Sequence, residues 1–204
     1  MKIKISNGFI YNLVIILCWP IFKILYRFEV SGSENIPKKG KCIICPNHTS
    51  NADAVLLVLA FGRKVFFMAK AELFKNRIFA FLFRYFGAFP VNRGKSDRSA
   101  IEKSTQVLKE NKPLAIFIEG TRSLDGELLK PKSGAAMIAL KTNTPVLPVC
   151  ITPVGGGKVK FFKKVNIKFG EQLSIDDLGL KDGTPSEFRN ASRLIMEKIK
   201  VMKG

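Results

Sequence analysis

The single histidine of the chain, His48, is followed five positions later by Asp53. His48 lies between an apolar run that ends at Pro46 and an apolar helical run that begins near Ala52, so we expect it at a strand-to-helix turn. From the first turn of that helix, Asp53 can reach back to one imidazole nitrogen and leave the other as a base. The spacing alone does not establish catalysis, because a lone histidine is usually structural.

A second polar group follows the apolar run Leu114–Ile118, which predicts a central strand. A charged, glycine-containing turn at the carboxyl end of a strand is where α/β sheets bind ligands. Arginine suits phosphate because its planar fork donates two parallel hydrogen bonds. Glu119 would either orient Arg122 or remain a solvated turn residue. The turn consists of Glu119, Gly120, Thr121, Arg122 and Ser123.

Charge and composition restrict the class of protein. The 204 residues carry a formal charge of +18, which favours polyanionic partners such as nucleic acid, anionic lipid headgroups or an acidic carrier protein. Hydrophobic residues make up 47% of the chain, which excludes disorder. The 17 Phe suit apolar grooves or bilayer contact, or simply a Phe-rich core. Nucleic-acid binding would interleave aromatic and basic residues along a groove, whereas these aromatics flank lipid-type segments, so we predict no nucleic-acid partner.

Cysteine usage indicates structural thiols. Cys42 and Cys45 form a C-x-x-C, but no second such pair accompanies them, which argues against zinc. They lie in an apparent buried strand, where residues three apart point to opposite faces. We therefore expect reduced, structural cysteines in a cytosolic compartment. One histidine and scattered carboxylates also predict no metal site.

The most apolar stretch of the chain is Phe9–Phe28. Its uninterrupted run, Leu13–Phe22, is about half of the ~20 residues that a spanning helix needs, and Pro20 is expected to break or kink it. No signal-peptide cleavage site follows. We predict that residues 1–28 form a membrane-associated helical segment that lies in one leaflet or dips into it. A short spanning helix and a helix packed on the domain's own core are the alternatives. Residue types found at the lipid–water boundary support the first choice: Trp19, Lys23, Tyr26 and Arg27.

Residues 29–204 are predicted to form one α/β domain, because apolar runs alternate with helical patterns. The segment Val159–Phe169 reads as one bent strand or a hairpin, and its lysines suggest an edge strand whose Lys164 and Lys168 face water. The other predicted strands are Phe28–Val30, Cys42–Cys45, Val65–Met68, Ala88–Val91, Leu114–Ile118 and Val146–Ile151. The predicted helices are Ala52–Phe61, Phe74–Phe86, Ser96–Glu110, Ser133–Lys141 and Ser186–Met202.

Four blocks of sequence follow one another in a recognisable order and spacing, with Ala69–Leu73 between the first two: Asn47–Asp53, Gly87–Arg93, Phe117–Ser123 and Val146–Val149. Through these blocks the sequence resembles the 1-acyl-sn-glycerol-3-phosphate acyltransferase (lysophosphatidic acid acyltransferase) family over nearly all of its length. One departure is Ile118, where proline is usual before Glu119; it removes no chemical group.

The resemblance implies a glycerolphosphate-acyltransferase-like sheet flanked by helices, and roles for particular residues. His48 would deprotonate the acceptor hydroxyl with support from Asp53, and the hydroxyl would attack a fatty acyl thioester directly. The resemblance further implies an acceptor-phosphate site in which Glu119 and Thr121 shape the surroundings. The residues that would hold the phosphate are Arg93, Gly120 and Arg122. No cofactor is implied beyond the co-substrate, acyl-CoA or acyl-acyl carrier protein.

The expected reaction converts 1-acylglycerol 3-phosphate (lysophosphatidate) to phosphatidate at the cytoplasmic face of the cell membrane. Expected partners are an anionic membrane surface, lysophosphatidate and, if it is the donor, acyl carrier protein. The Phe-rich segment Glu72–Phe89 would line the acyl groove or touch the bilayer, with core packing as the alternative. The same chemistry on glycerol 3-phosphate or another lysophospholipid is a second reading. A non-catalytic polyanion-binding module is a third, against which the His48/Asp53 pair and Arg122 argue.

Overall fold

The computed structural model describes residues 8–91 and 98–204. The helix Ala52–Phe61 and the strand Ala88–Val91 begin and end where the sequence predicts, and most other boundaries shift by a few residues. The helices are α1 Phe9–Tyr26, α2 Ala52–Phe61, α3 Arg77–Tyr85, α4 Arg98–Lys109, α5 Gly134–Thr142 and α6 Pro185–Lys203. The strands are β1 Glu29–Ser31, β2 Ile43–Pro46, β3 Phe66–Lys70, β4 Ala88–Val91, β5 Leu114–Ala115, β6 Val146–Pro153 and β7 Val165–Phe169.

The strands form one seven-stranded sheet in the order β1-β7-β6-β2-β5-β3-β4. All neighbouring strands are parallel except β6 and β7, which are antiparallel. The central strands read as continuous apolar runs because helices cover both faces of the sheet. The predicted α/β class, with a sheet flanked by helices, is confirmed.

Two hydrophobic clusters lie on opposite faces of the sheet. One contains α2 and residues of α1, and the other contains α4, α5 and α6. Cys42 packs in the first cluster and Cys45 in the second, and both are free and buried, as predicted from their spacing.

The chain leaves β2 and β5 on different faces of this sheet. The helix after β2 packs in one cluster, and the helix after β5 packs in the other. A crevice opens at the carboxyl ends of two strands whose connections diverge in this way, and open α/β sheets bind their ligands there. β2 and β5 are hydrogen-bonded neighbours, so the turns after them lie side by side.

Helix α1 packs one side on the domain and leaves the other exposed. Tyr11 and Tyr26 are buried, while the opposite side is apolar and solvent-facing. Pro20 lies inside the helix and does not end it, so the expected break does not occur, and the alternative of a kink stays a prediction. Among the described residues, α1 is the one helix long and apolar enough to cross a membrane by length and composition. Its exposed apolar residues include Phe9, Ile10, Leu13, Leu17, Ile21 and Ile24.

The structure corrects three interpretations made from the sequence. Only Val165–Phe169 of the predicted Val159–Phe169 strand is extended, and the residues before it form a loop. That strand is not at the edge, because β1 and β6 flank it. Core packing of the Phe-rich segment is also wrong for α3, whose outer side is exposed and apolar. The exposed side chains of α3 are Ile78, Phe79, Phe81 and Leu82.

Candidate active site

His48 lies in the turn between β2 and α2, and Asp53 lies in the first turn of α2. The Nδ1 atom of His48 is 2.9 Å from Oδ2 of Asp53. The same oxygen accepts the backbone N–H groups of Thr49 at 2.6 Å and Ser50 at 2.8 Å. Asp53 is fully buried and His48 is 7% exposed. The sequence prediction that Asp53 reaches back to His48 is therefore confirmed.

This geometry selects the imidazole tautomer. An acceptor oxygen that already takes two backbone N–H donors faces Nδ1, so Nδ1 carries the proton and donates it to Asp53. The other nitrogen, Nε2, makes no hydrogen bond within the described residues and keeps its lone pair. His48 is thus arranged as a base whose orientation is fixed by a carboxylate.

The turn after β5 makes hydrogen bonds to both the N–H and the carbonyl oxygen of His48. The N–H of His48 donates to Oε1 of Glu119 at 3.0 Å. The carbonyl oxygen of His48 accepts the N–H of Ser123 at 2.8 Å. The parallel ladder between β2 and β5 leads into this contact, since Ile118 N–H still donates to the oxygen of Pro46 at 3.2 Å. Adjacent strands thus bring the two turns together.

Glu119 is neither solvated nor paired with Arg122, so both sequence alternatives for its environment are wrong. Its side chain is buried, and its second oxygen, Oε2, accepts the N–H of Leu129 at 3.1 Å. Burial raises the pKa of the Glu119 carboxyl above its ordinary value, and the N–H donors of His48 and Leu129 partly oppose that rise. The Glu119 side chain therefore links the backbone of His48 to that of Leu129. Its predicted part in the phosphate site stays a prediction.

Two side chains that the sequence did not single out complete the surroundings of His48. The ring of Phe117 stacks on the imidazole, with centroids 3.8 Å apart and planes 20° apart. Asn47 extends strand β2 by one residue, because its side chain exchanges two hydrogen bonds with the backbone of Ile151, at 2.7 and 2.9 Å. A polar residue placed directly after a buried strand was the available signal for Asn47. Nothing local marked Phe117.

The predicted phosphate-binding residues of the turn after β5 lie near His48. Gly120, Thr121 and Arg122 are all exposed in the turn after β5. Gly120 has a φ of +70°, a conformation that suits glycine. Arg122 Nη1 donates to Oδ1 of Asn51 at 3.0 Å, three residues beyond His48. Arg93 lies outside the described residues. The arrangement leaves the Arg122 side chain exposed to solvent, close to His48.

Metal-ligand groups and a cavity were the other places where a site could lie within the described chain. No group of three or more His, Cys, Asp or Glu side chains among the described residues could hold a metal ion. A cavity of about 190 Å³ lies between α1, the end of α2 and residues Ser33–Lys38. None of the predicted site residues lines that cavity, which lies at the opposite end of α2 from Asp53.

The sequence of the chain is similar to those of known proteins. The family model described as Acyltransferase matches residues 27–152. The chain is 36% identical over 152 residues to a 1-acyl-sn-glycerol-3-phosphate acyltransferase of Borreliella burgdorferi, covering 73% of this chain and 58% of that protein. It is 32% identical over 151 residues to the Bacillus subtilis enzyme of that name, covering 73% of this chain and 75% of that protein.

A solved structure shows the same fold. The crystal structure of the 1-acyl-sn-glycerophosphate acyltransferase of Thermotoga maritima matches with a TM-score of 0.73 and 29% identity, over 97% of this chain and 84% of that one. The chain spans less than two thirds of some of its curated relatives, including 63% of the Streptococcus pneumoniae protein.

Proposed function

Because the chain belongs to the acyltransferase family, we propose that it transfers a fatty acyl group from a thioester to the free hydroxyl of 1-acylglycerol 3-phosphate. The product would be phosphatidate. The observation that carries this proposal is the buried His48–Asp53 pair, at 2.9 Å, with Nε2 unengaged beside an arginine-bearing turn. The names of the relatives support lysophosphatidate as the acceptor.

The proposed chemistry needs one base and no covalent acyl-enzyme. Nε2 of His48 takes the proton of the acceptor hydroxyl while the hydroxyl oxygen attacks the carbonyl carbon of the thioester. Asp53 stabilises the imidazolium that forms. The tetrahedral intermediate then expels the thiolate, which takes the proton from His48. An oxygen ester forms, a thioester breaks, and the proton passes from hydroxyl to thiol.

Arg122 is the proposed anchor for the acceptor phosphate. Its guanidinium is exposed and lies within hydrogen-bond distance of Asn51, in the same turn as His48. A phosphate held there would place the glycerol hydroxyl near the base, which turns a diffusive encounter into a positioned attack. Arg93, Gly120, Thr121 and Glu119 complete this proposed site.

The substrate and the surface of the protein both suggest work at a membrane. The exposed side of α1 is apolar, and the ring of Tyr11 near its start lies 5.7 Å from that of Phe86, just after α3. The start of α1 therefore lies close to the end of α3, whose outer side is also apolar and exposed. A helix of this kind lies in the interface plane, and basic residues add attraction to anionic lipid. We propose that the protein works at the cytoplasmic face of the cell membrane.

The net charge of the protein indicates only the class of the acyl donor, a negatively charged carrier. Acyl carrier protein is acidic and coenzyme A carries phosphates, and a net charge of +18 suits either. The decisive experiment assays purified protein in lipid vesicles with both donors against lysophosphatidate, glycerol 3-phosphate and lysophosphatidylcholine. Fastest product formation from lysophosphatidate is expected. Faster acylation of glycerol 3-phosphate would show that it, and not lysophosphatidate, is the acceptor. No acyl transfer to any acceptor would refute the proposal.

A further inference from the structure

The loop between β6 and β7 presents two adjacent phenylalanine side chains to solvent. Phe161 is 63% exposed and Phe162 is 70% exposed. We call residues Lys160–Lys163 the phenylalanine turn. The loop around it contains no Asp or Glu. Two neighbouring apolar rings framed by cations have the composition of a membrane-interface element. The framing cations are Lys158, Lys160, Lys163 and Lys164.

The fold holds this turn in place. The N–H of Phe162 donates to the carbonyl oxygen of Leu25 near the end of α1, and the ring of Phe161 lies 5.4 Å from that of Tyr26. Phe162 also has a φ of +61°, in the left-handed region that a bulky side chain rarely adopts. A strained backbone that displays an apolar ring to solvent indicates a function other than packing.

The phenylalanine turn adjoins both the candidate active site and α1. Val159, directly before the turn, is buried, and its N–H donates to Oγ1 of Thr49 at 3.3 Å. Thr49 is the neighbour of His48. On the other side, the turn meets the end of α1, where Ile21 and Ile24 face outward. The apolar surface of α1 therefore continues through the turn toward the loop that carries the base.

We propose that the phenylalanine turn inserts its two rings into an anionic phospholipid bilayer beside the active site, with its lysines on the headgroups. The proposal rests on the proposed function in that the acceptor is a membrane lipid. Charge supports this occupant: Lys164 pairs with Glu29 at 2.8 Å, and within the described residues the other lysines of the loop have no carboxylate partner. Insertion at this point would fix the orientation of His48 relative to the lipid surface.

Lipid quenching of tryptophan fluorescence tests insertion directly. The full-length Phe162→Trp protein is bound to phosphatidylglycerol-containing vesicles whose acyl chains are brominated, and the Trp19 signal of the unmodified protein is subtracted. Val201→Trp is the control, because Val201 is 80% exposed on α6. We expect the Phe162→Trp signal to be quenched several-fold more than the Val201→Trp signal. Equal quenching, with both proteins sedimenting with the vesicles, overturns the proposal.

A second measurement links insertion to turnover. The Phe161→Ser/Phe162→Asn double variant is assayed on vesicle-embedded lysophosphatidate and on a dissolved short-chain analogue. The ratio of the two rates should fall roughly tenfold, with Val201→Ser retaining the original ratio. An unchanged ratio contradicts the proposal. The quenching experiment contains neither acyl donor nor acceptor, so it tests insertion independently of catalysis. Absence of acyl transfer by the unmodified protein would refute the proposed function but not the insertion of the phenylalanine turn.

Discussion

The carboxyl group of Glu119 accepts the backbone N–H of His48 at 3.0 Å, across 71 positions of sequence. Its other oxygen accepts the N–H of Leu129 at 3.1 Å. By motif, Glu119 resembles a component of a phosphate site. In the structure, its side chain also links the turn after β2 to the turn after β5 through hydrogen bonds. Substitution at Glu119 should disturb the position of the base rather than its chemistry.

Glu119→Gln should lower both turnover and stability. An amide has one acceptor oxygen, so either His48 or Leu129 loses its partner, and a buried unpaired N–H costs about 1–3 kcal/mol. Burial raises the pKa of Glu119, so its proton is held more tightly in the folded state than in the unfolded one. The stability advantage over the glutamine variant is therefore largest below the ordinary value of 4.5 and declines as the pH rises through the raised pKa.

Urea unfolding of both proteins from about pH 4 to about pH 8 measures this difference, and the comparison cancels the other titrating groups. A gap in the free energy of unfolding that widens with pH would contradict the assigned environment of Glu119.

Phe117→Leu should reduce kcat while leaving the KM for the acceptor nearly unchanged. The ring covers one face of the His48 imidazole, and an aromatic pair contributes about 0.5–1.5 kcal/mol beyond its buried area. Loss of that contact predicts a decrease of roughly 2- to 10-fold. Phe117→Tyr keeps the ring and should restore most of the rate. Positioning by Phe117 is excluded if Leu and Tyr variants of equal thermal stability turn over equally fast.

Arg122→Lys should impair use of lysophosphatidate although the charge is kept. Lysine lacks the planar fork that grips a phosphate through two hydrogen bonds. A higher KM alone would indicate uniform binding, and a lower kcat as well would show that the contact orients the hydroxyl. The donor KM should change little. Arg193→Lys, the same substitution at an exposed position on α6, is the matched control. Equal effects at both positions would leave only non-specific electrostatics.

The cysteines predict a labelling pattern. Burial raises the pKa of Cys42 to about 12 and of Cys150 to about 11, and it raises that of Cys45 as well. Since the thiolate is the reactive form, these thiols should stay unmodified in the folded protein near pH 8. Cys18 on α1 is only partly buried and should react first. Titration with a coloured disulfide reagent should give one thiol natively and all four after unfolding. Rapid native modification of two or more would contradict the packing.

The sequence predicts what depends on short-range order. The pair of His48 and Asp53 lies within one turn, so its spacing is enough to predict the contact. A strand over Val165–Phe169 was also correctly predicted, but its place in the sheet was not. An alternating pattern looks the same on an edge strand and on a strand between neighbours. The contacts of Phe117 and Glu119 with His48 depend on strand order, which no local pattern encodes.

The central claim is that His48 acts as the base. His48→Ala should lower turnover of lysophosphatidate by roughly 10²–10⁴-fold, because the proton of the attacking hydroxyl loses its acceptor. The measurement is single-turnover formation of phosphatidate by a variant whose unfolding temperature and vesicle binding match those of the unmodified protein. A loss of that size in a folded, membrane-bound variant is the predicted result. Unimpaired phosphatidate formation by the same variant would contradict the account.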